Sequence, residues 1–151
     1  MSPEFGDREP DIRKAAIAIV RDRKLLVSRT KGKDIFVAPG GKREQDEETG
    51  EVETGKQAGI REIKEEQGLE VSEDQLDSIG VFRAVAAGHE DEQLIVEMEV
   101  FLLNDLNGEP TPAAEIEENK WVTSADVDKV SIGSIFAHDV IPVLVERDLI
   151  D

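Results

Sequence analysis

The chain has 151 residues and no cysteine, and its 35 acidic against 18 basic side chains give a formal net charge of −17. The absence of cysteine excludes disulfides and thiolate zinc sites, and the charge argues against a general binder of nucleic-acid phosphates. No apolar run approaches the ~20 residues of a membrane span, so we expect a soluble cytoplasmic protein, monomeric or homodimeric, without membrane or nucleic-acid partners.

The length and the apolar content of the chain predict one folded domain. Apolar residues make up 38% of the sequence, and a chain of this size can bury a single substantial core. We expect residues 12–151 to form that domain. Residues 1–11, which begin with the letters MSPEFG, are expected to be disordered or vector-derived.

The first elements are expected to be a β-hairpin. Residues 12–20 (IRKAAIAIV) and 25–28 (LLVS) carry the small and β-branched residues typical of buried strands. Arg29 follows at the end of the second strand. It is a candidate contact for a substrate phosphate, and a solvated basic loop is the alternative interpretation.

Two irregular segments follow the hairpin. The run Pro39-Gly40-Gly41-Lys42 breaks regular structure and allows the backbone to approach a ligand closely. Residues 44–53 (EQDEETGEVE) have no apolar periodicity and do not match the spacing of a calcium-binding EF-hand. This acidic segment is therefore expected to be a solvated insertion.

Residues 54–69 predict one helix with an unusual acidic side. Thr54 and Gln57 have the spacing of a capping box, and a glycine at position 68 suits the C-terminal stop. Within the helix, glutamates at positions 62, 65 and 66 share an arc of roughly 100°. Like charges at this spacing destabilise an isolated helix by ~0.2–0.5 kcal/mol per pair. The pattern indicates a divalent-cation site on one side of the helix, with Ile60 and Ile63 packing on the other.

The second half of the chain predicts strands and then a final helix. Strands are expected at residues 79–87, 94–103 and 120–123, and a helical apolar spacing begins at residue 131 and is kinked or interrupted by Pro142. The order of strands, helix, strands and helix predicts an α/β sandwich with a mixed β-sheet.

The segment Arg61-Glu62-Ile63-Lys64-Glu65-Glu66-Gln67-Gly68-Leu69 resembles the core of the Nudix box, the signature of Nudix (MutT-like) hydrolases. Glu53 stands eight positions before Arg61, as in the family pattern. The box glycine normally precedes that glutamate by six positions, and Gly41 fills this role across six inserted residues. The resemblance covers roughly residues 12–148 and implies a Nudix-type α/β/α sandwich.

The resemblance also implies a function. Members hydrolyse a nucleoside diphosphate linked to another group, including damaged nucleotides, with Mg²⁺ or Mn²⁺ as cofactor. By family position, Glu62, Glu65 and Glu66 would hold the metal together with a carbonyl of Gly40 or Gly41. Mg²⁺ binds such oxygen ligands.

Further roles are carried over from the same motif. Arg61 and Glu53 would pair to orient the glutamates of the helix. Glu115, by its spacing to Trp121, matches an acid that joins the metal site of MutT-like enzymes. Glu115 and Glu62 are both candidates for the general base.

Substrate recognition is the least determined part of the sequence. Lys42 and Arg29 are candidate substrate-binding residues. His138 occupies the approximate position at which MutT-like enzymes that clear 8-oxo-guanine nucleotides carry an asparagine, which lowers the expectation of that substrate. A small-molecule nucleotide or diphosphate is the expected partner.

Two other functions are compatible with parts of the sequence. A non-catalytic Nudix-fold sensor would bind a nucleotide and regulate a partner, and loss of box glutamates would favour it. All of those glutamates are present. A structural acidic protein with a merely solvated glutamate-rich helix is the third interpretation, against which the Pro-Gly-Gly turn and the position of Glu53 both count.

Overall fold

The computed structural model describes residues 9–85 and 94–151. Two α-helices, α1 (Gly55–Gln67) and α2 (Ile141–Glu146), accompany the strands of these ranges. The strands are β1 (Ile12–Ala18), β2 (Val20–Arg21), β3 (Lys24–Thr30), β4 (Phe36–Val37), β5 (Gly40–Lys42), β6 (Leu76–Val85), β7 (Ile95–Leu103) and β8 (Ile116–Val122).

The strands form two sheets. The first sheet has the order β5-β1-β7-β6 and is mixed, because β1 runs parallel to β7 while the other two pairs are antiparallel. In the second sheet β3 pairs antiparallel with β2, β4 and β8. The predicted α/β class with a mixed sheet is confirmed. No helix in the described ranges has the length and apolar character needed to cross a membrane.

The alternation of side chains along β1 builds the layers. Ala15 and Ile17 pack with α1 residues in one buried cluster, whereas Ala16 and Ala18 pack with α2 residues in another. Because successive side chains of a strand point to opposite faces, a strand buried on both faces reads as the near-continuous apolar run seen in the sequence. The result is the expected α/β/α arrangement.

The limits of α1 agree with the prediction. Thr54 accepts the backbone N–H of Gln57 at 3.1 Å, and the Gln57 side chain accepts the backbone N–H of Thr54 at 3.0 Å, which completes the capping box. At the other end Gly68 has φ 68°, a left-handed conformation that favours glycine.

Other predicted elements differ in detail from the structure. The short strand expected at 120–123 begins at Ile116, since its first residues pair with β3. At Pro142, which lacks a backbone N–H, the last helix contains a π-helical turn, Phe136–Val140, immediately before α2. The last two residues of the strand predicted at 79–87, and residues 1–8 of the N-terminal segment, lie outside the described residues.

A closed group of polar side chains joins α1 to the second sheet. The fully buried Gln67 donates to Ser28 at 2.8 Å and to Asn119 at 2.9 Å, and Asn119 donates back to Gln67 at 2.6 Å. Ser28 lies on β3 and Asn119 on β8. Burial of these groups is tolerated because each has partners, and the hydrogen bonds fix α1 relative to both strands.

We expect Gln67→Met to lower the free energy of unfolding by about 1–3 kcal/mol, because it removes the buried hydrogen bonds of Gln67 with Ser28 and Asn119 and leaves only the one that Ser28 donates to Asn119. Urea unfolding measures the change. Lys64→Met, on the exposed side of the same helix, is the matched control and should change stability by less than about 0.5 kcal/mol. Equal effects of the two substitutions would contradict the structural role of the polar group.

Candidate active site

Glu66 is the most buried carboxylate of the described chain. Its residue is 8% exposed, and its Oε1 accepts the backbone N–H of Gly40 on β5 at 2.9 Å. Burial raises the pKa of Glu66 to about 8, with repulsion from Glu62 and Glu115 adding to the effect. Burial in this position favours the protonated, neutral form of the carboxyl group, unless a cation binds beside it and stabilises the charged form.

Glu62 lies one turn earlier on α1 and against the next glycine. A Cβ atom on Gly41 would lie 2.6 Å from the Glu62 carboxylate, so only glycine permits this approach. Burial also raises the pKa of Glu62, although a hydrogen bond from Arg61 opposes the shift. Glu65, by contrast, has a side chain that is 57% exposed.

The separation of α1 into a packing face and an acidic face is wrong in one respect. Glu66 and Gln67 belong to the buried stripe of the helix, together with Ala58 and Ile63, while Ile60 is only partly buried. The reason is that β5 covers the side of α1 that carries Glu62 and Glu66. The acidic face is therefore a contact between the helix and a glycine-containing edge strand.

The ladder between β5 and β1 distinguishes the two glycines. Ile17 donates to the carbonyl of Pro39 at 2.8 Å, and Arg43 donates to the carbonyl of Arg13 at 3.1 Å. Because peptide groups of an antiparallel strand alternate in direction, Gly41 directs its carbonyl towards β1. Gly40 directs its N–H and carbonyl away from β1, on the side where Glu66 lies.

Arg61 binds three parts of the site at once. Its guanidinium donates twice to Glu53, at 2.9 and 3.0 Å, and also to Glu62 at 2.7 Å and to the carbonyl of Lys42 at 3.1 Å. The hydrogen bond from Arg61 lowers the pKa of Glu53. The expected contact between Arg61 and Glu53 is present, and it orients Glu62 relative to β5.

The inserted acidic segment forms a small hairpin. Glu53 donates its backbone N–H to the carbonyl of Glu44 at 2.8 Å, and Asp46 donates to the carbonyl of Glu51 at 2.7 Å. The tip is closed by the Asp46 carboxylate, which accepts the N–H groups of Glu48 and Thr49 at 2.8 and 3.0 Å. The hairpin projects the extra residues from the site and returns Glu53 to the side of Arg61.

Glu115 is close enough to Glu62 and Glu66 to raise the pKa of both carboxyl groups. It precedes β8 and is exposed, and its backbone carbonyl accepts the N–H of Lys31 at 2.9 Å. The sequence-predicted acid therefore lies beside the helix glutamates, although 49 positions separate Glu66 from Glu115 in the chain.

Of the other candidate substrate residues, Lys42 meets the cluster through its backbone, whose carbonyl accepts from Arg61, while Arg29 and His138 belong to other elements. Arg29 donates to Glu118 at 2.9 Å and to the carbonyl of Lys33 at 3.0 Å, so its guanidinium is already bound. His138 is exposed on the π-helical turn. The exposed Lys42 follows the two glycines on β5.

An apolar cleft of about 110 Å³, missed in the sequence, opens between β6, β7 and the start of the last helix. Its wall includes Ala38, Met98 and Phe136, with Ser134 as the hydroxyl-bearing side chain and without His138. Four separate segments of the chain form this wall, and no local pattern brings them together.

The residues present fit a hard divalent cation, although the described carboxylates do not converge as a ready-made set of three metal ligands. Arg61 and the N–H of Gly40 each occupy a carboxylate oxygen. The available donors are nevertheless carboxylates and the carbonyl of Gly40, which is directed away from β1. Mg²⁺ and Mn²⁺ prefer such oxygen ligands. The raised pKa values of Glu62 and Glu66 indicate two carboxyl groups that a cation would stabilise in their charged form.

Deleting residues 46–51 should leave the free energy of unfolding within about 1 kcal/mol of that of the full chain, since surface loops tolerate such changes. The deletion leaves five residues between Gly41 and Glu53, because eleven separate them in the sequence and six are removed. Urea unfolding measures the effect. Glu53→Gln should destabilise both the full and the shortened chain equally; loss of its effect in the shortened chain would contradict the interpretation of residues 46–51 as an insertion that the contact between Glu53 and Arg61 does not need.

Glu66→Gln should make the metal-free protein more stable at high pH. The pKa of Glu66 is raised from 4.5 to about 8 in the folded state, so the folded chain retains a proton that the unfolded chain releases. The resulting stabilisation is complete below pH 4.5 and is lost as the pH rises through about 8. At about pH 9 in EDTA, Glu66→Gln should exceed the wild type in free energy of unfolding by on the order of 2 kcal/mol.

Chemical denaturation between about pH 5 and pH 9 measures this difference, which should shrink towards the lower pH. Glu65→Gln, whose side chain is mostly exposed, is the matched control and should differ from the wild type by less than about 0.5 kcal/mol throughout. A difference between Glu66→Gln and the wild type that does not change with pH would contradict the explanation.

Known structures share this fold. A MutT NUDIX hydrolase from Burkholderia pseudomallei has 24% identity over 78% of this chain and 86% of that chain, with a TM-score of 0.61. The E. coli dihydroneopterin triphosphate pyrophosphohydrolase has 16% identity over 89% and 95% of the two chains, with a TM-score of 0.68.

A longer protein from Francisella tularensis, a bifunctional NMN adenylyltransferase/ADP ribose pyrophosphatase complexed with AMP and a Mn ion, is also similar. Its identity is 20% over 94% of this chain and 43% of that chain, with a TM-score of 0.62. At these identities the likeness shows the fold alone. No curated protein sequence matches the chain significantly.

A family model settles the relationship. The model of the NUDIX domain matches residues 11–142, a range that contains Glu53, both glycines of β5, all of α1 and Glu115. The chain therefore belongs to the Nudix family and is a hydrolase of phosphoanhydrides.

Proposed function

We propose that the protein is a Mg²⁺-dependent pyrophosphohydrolase that cleaves a nucleoside diphosphate linked to another group. The observation that carries the proposal is the buried carboxylate of Glu66 against the open edge of Gly40, with Glu62 and Glu115 beside it. Such a group of carboxylates is unfavourable in the metal-free protein and is suited to hold a divalent cation.

Each residue has a proposed role that follows from its contacts. Glu62, Glu65 and Glu66 would hold Mg²⁺ or Mn²⁺ with the carbonyl of Gly40, which is directed away from β1. When bound, the cation supplies charge stabilisation to the pyrophosphate and makes a water molecule more acidic. Arg61, held by Glu53, keeps Glu62 in place and is not itself a reacting group.

The general base is either Glu62 or Glu115. Glu62 is half-buried and accepts a hydrogen bond from Arg61, whereas Glu115 is exposed. The base can be recognised by kinetics, because its substitution by glutamine lowers kcat at saturating Mg²⁺ without changing the Mg²⁺ concentration that gives half-maximal activity. A metal ligand changes both.

The substrate class is supported by two neighbours of similar fold. One is a dihydroneopterin triphosphate pyrophosphohydrolase and the other contains an ADP ribose pyrophosphatase. Both activities are directed at a phosphoanhydride joined to a larger organic group. We propose the same kind of bond for this chain, with a nucleoside triphosphate or a related nucleotide as substrate.

Release of phosphate, or of pyrophosphate detected with a pyrophosphatase, tests the proposal. The panel contains nucleoside triphosphates, damaged nucleotides, nucleotide sugars and dinucleotides, each with Mg²⁺, with Mn²⁺ and with EDTA. We expect EDTA to abolish turnover and Glu65→Gln and Glu66→Gln to reduce it ~10²-fold or more.

Glu48→Gln on the exposed tip of the hairpin is the matched control, and it should retain the activity of the wild type. Turnover that persists in EDTA, or that is equal in the two helix variants and the control, would contradict the mechanism. Binding of nucleotides without turnover across the panel would instead favour a sensor.

A further inference from the structure

The turn that precedes β8 contains a residue in an unfavourable backbone conformation. The N–H of Ile116 donates to the carbonyl of Ala113 at 3.0 Å, which closes a β-turn. Ala114 and Glu115 are its two central residues. Ala114 has φ 52°, in the left-handed region. Turns with a positive φ at the first central position are dominated by glycine, asparagine and aspartate. An alanine there is strained, because its Cβ atom crowds the following carbonyl oxygen.

The side chain of Ala114 does nothing to favour this conformation. Three of the other four non-glycine residues with a positive φ in residues 9–85 and 94–151 are aspartates. The short polar side chain of an aspartate can form local hydrogen bonds that favour the left-handed region, whereas alanine has no such group. Ala114 is also exposed, so burial of its methyl group does not offset the strain. The conformation is therefore maintained by the contacts of the neighbouring residues.

Backbone hydrogen bonds to two other parts of the chain hold the turn. The N–H of Ala113 donates to the carbonyl of Glu66 at 2.9 Å, and the N–H of Thr111 donates to the carbonyl of the last residue of α1 at 3.1 Å. Carbonyls at the end of a helix lack partners within it, so this segment satisfies them. On the other side the carbonyl of Glu115 accepts the N–H of Lys31, just after β3, at 2.9 Å.

The turn also determines where the side chain of Glu115 begins. Glu115 follows the hydrogen bond between Ala113 and Glu66 by two positions, and its carboxylate is close enough to repel those of Glu62 and Glu66. Strain at Ala114 and repulsion among the carboxylates both oppose this arrangement. Two unfavourable features at one place indicate a role other than stability.

We propose that Ala114 is a positioning residue, because its left-handed turn directs the carboxylate of Glu115 towards the glutamates of α1. Ala114 supplies no functional group and acts only through the backbone of its neighbour. The use of Glu115 as a metal ligand or general base rests on the proposed hydrolytic function. The position of Glu115 rests on the backbone contacts of the turn.

Two substitutions at position 114 test the proposal in opposite directions. Ala114→Gly retains the left-handed turn without strain, so it should raise the midpoint of urea unfolding and leave kcat within about twofold of the wild type. Ala114→Val introduces a β-branched side chain, for which the left-handed region is strongly disfavoured. For any substrate that the panel identifies, it should lower kcat about tenfold, since displacement of a functional group by a small distance is costly.

Asp105→Val is the matched control. Asp105 has φ 57° in the same loop and is exposed, but it precedes Glu115 by ten positions. The substitution imposes the same backbone conflict, so it should lower the midpoint of urea unfolding while kcat stays within about twofold of the wild type. In a Glu115→Gln background, Ala114→Val should change kcat by less than about twofold, because the residue through which it acts is already altered.

Amide hydrogen exchange in EDTA provides a readout that does not depend on turnover. The N–H of Lys31 is bonded to the carbonyl of Glu115, so Ala114→Val should accelerate its exchange about tenfold. Ala114→Gly and Asp105→Val should leave the exchange of this amide within about twofold of the wild type. The measurement reports whether the backbone of Glu115 has moved, whatever the protein hydrolyses.

Unchanged exchange at Lys31 in Ala114→Val would overturn the positioning role even if hydrolysis is observed. Equal losses of kcat in Ala114→Val and Asp105→Val would also overturn it, since the loop would then act only through general stability. Faster exchange at Lys31 in Ala114→Val alone, in a protein that hydrolyses nothing on the panel, would support the positioning of Glu115 and reject the proposed hydrolytic function.

Discussion

The ion pair between Arg61 and Glu53 is the interaction on which the site depends. Arg61 is surrounded by acids, since Glu44 and Glu65 also lie within 3.2 and 3.8 Å of its guanidinium. Its guanidinium connects the helix to the carbonyl of Lys42 on β5 and to Glu53 at the end of the hairpin, and its charge offsets the repulsion among the surrounding carboxylates. Because the guanidinium is planar and donates in several directions, one arginine can do this where a lysine could not.

Local features of the sequence were sufficient to predict the helix. Its start depends on Thr54 and Gln57, and its end on Gly68, all of which act within one turn of the backbone. The spacing of the glutamates likewise follows from helical geometry. Helical geometry does not show which other element packs against each face of the helix. For this reason the burial of Glu66 and Gln67 was not predicted.

Other features that the sequence did not predict have the same physical origin. The partner of Arg29 is Glu118, 89 positions later, and it is determined by the pairing of β3 with β8. The difference between Gly40 and Gly41 depends on the register of β5 against β1. Register and long-range pairing are properties of the assembled sheet, so a single strand's sequence does not encode them separately.

The charge of Arg61 is used within the protein, and this bears on function. Arg61 is saturated by carboxylates and cannot accept a further anion without releasing one of them. In so acidic a protein an anionic substrate is repelled by most of the surface. Its binding therefore requires positive charge that Arg61 does not supply, and the cation proposed for the glutamate cluster would supply it.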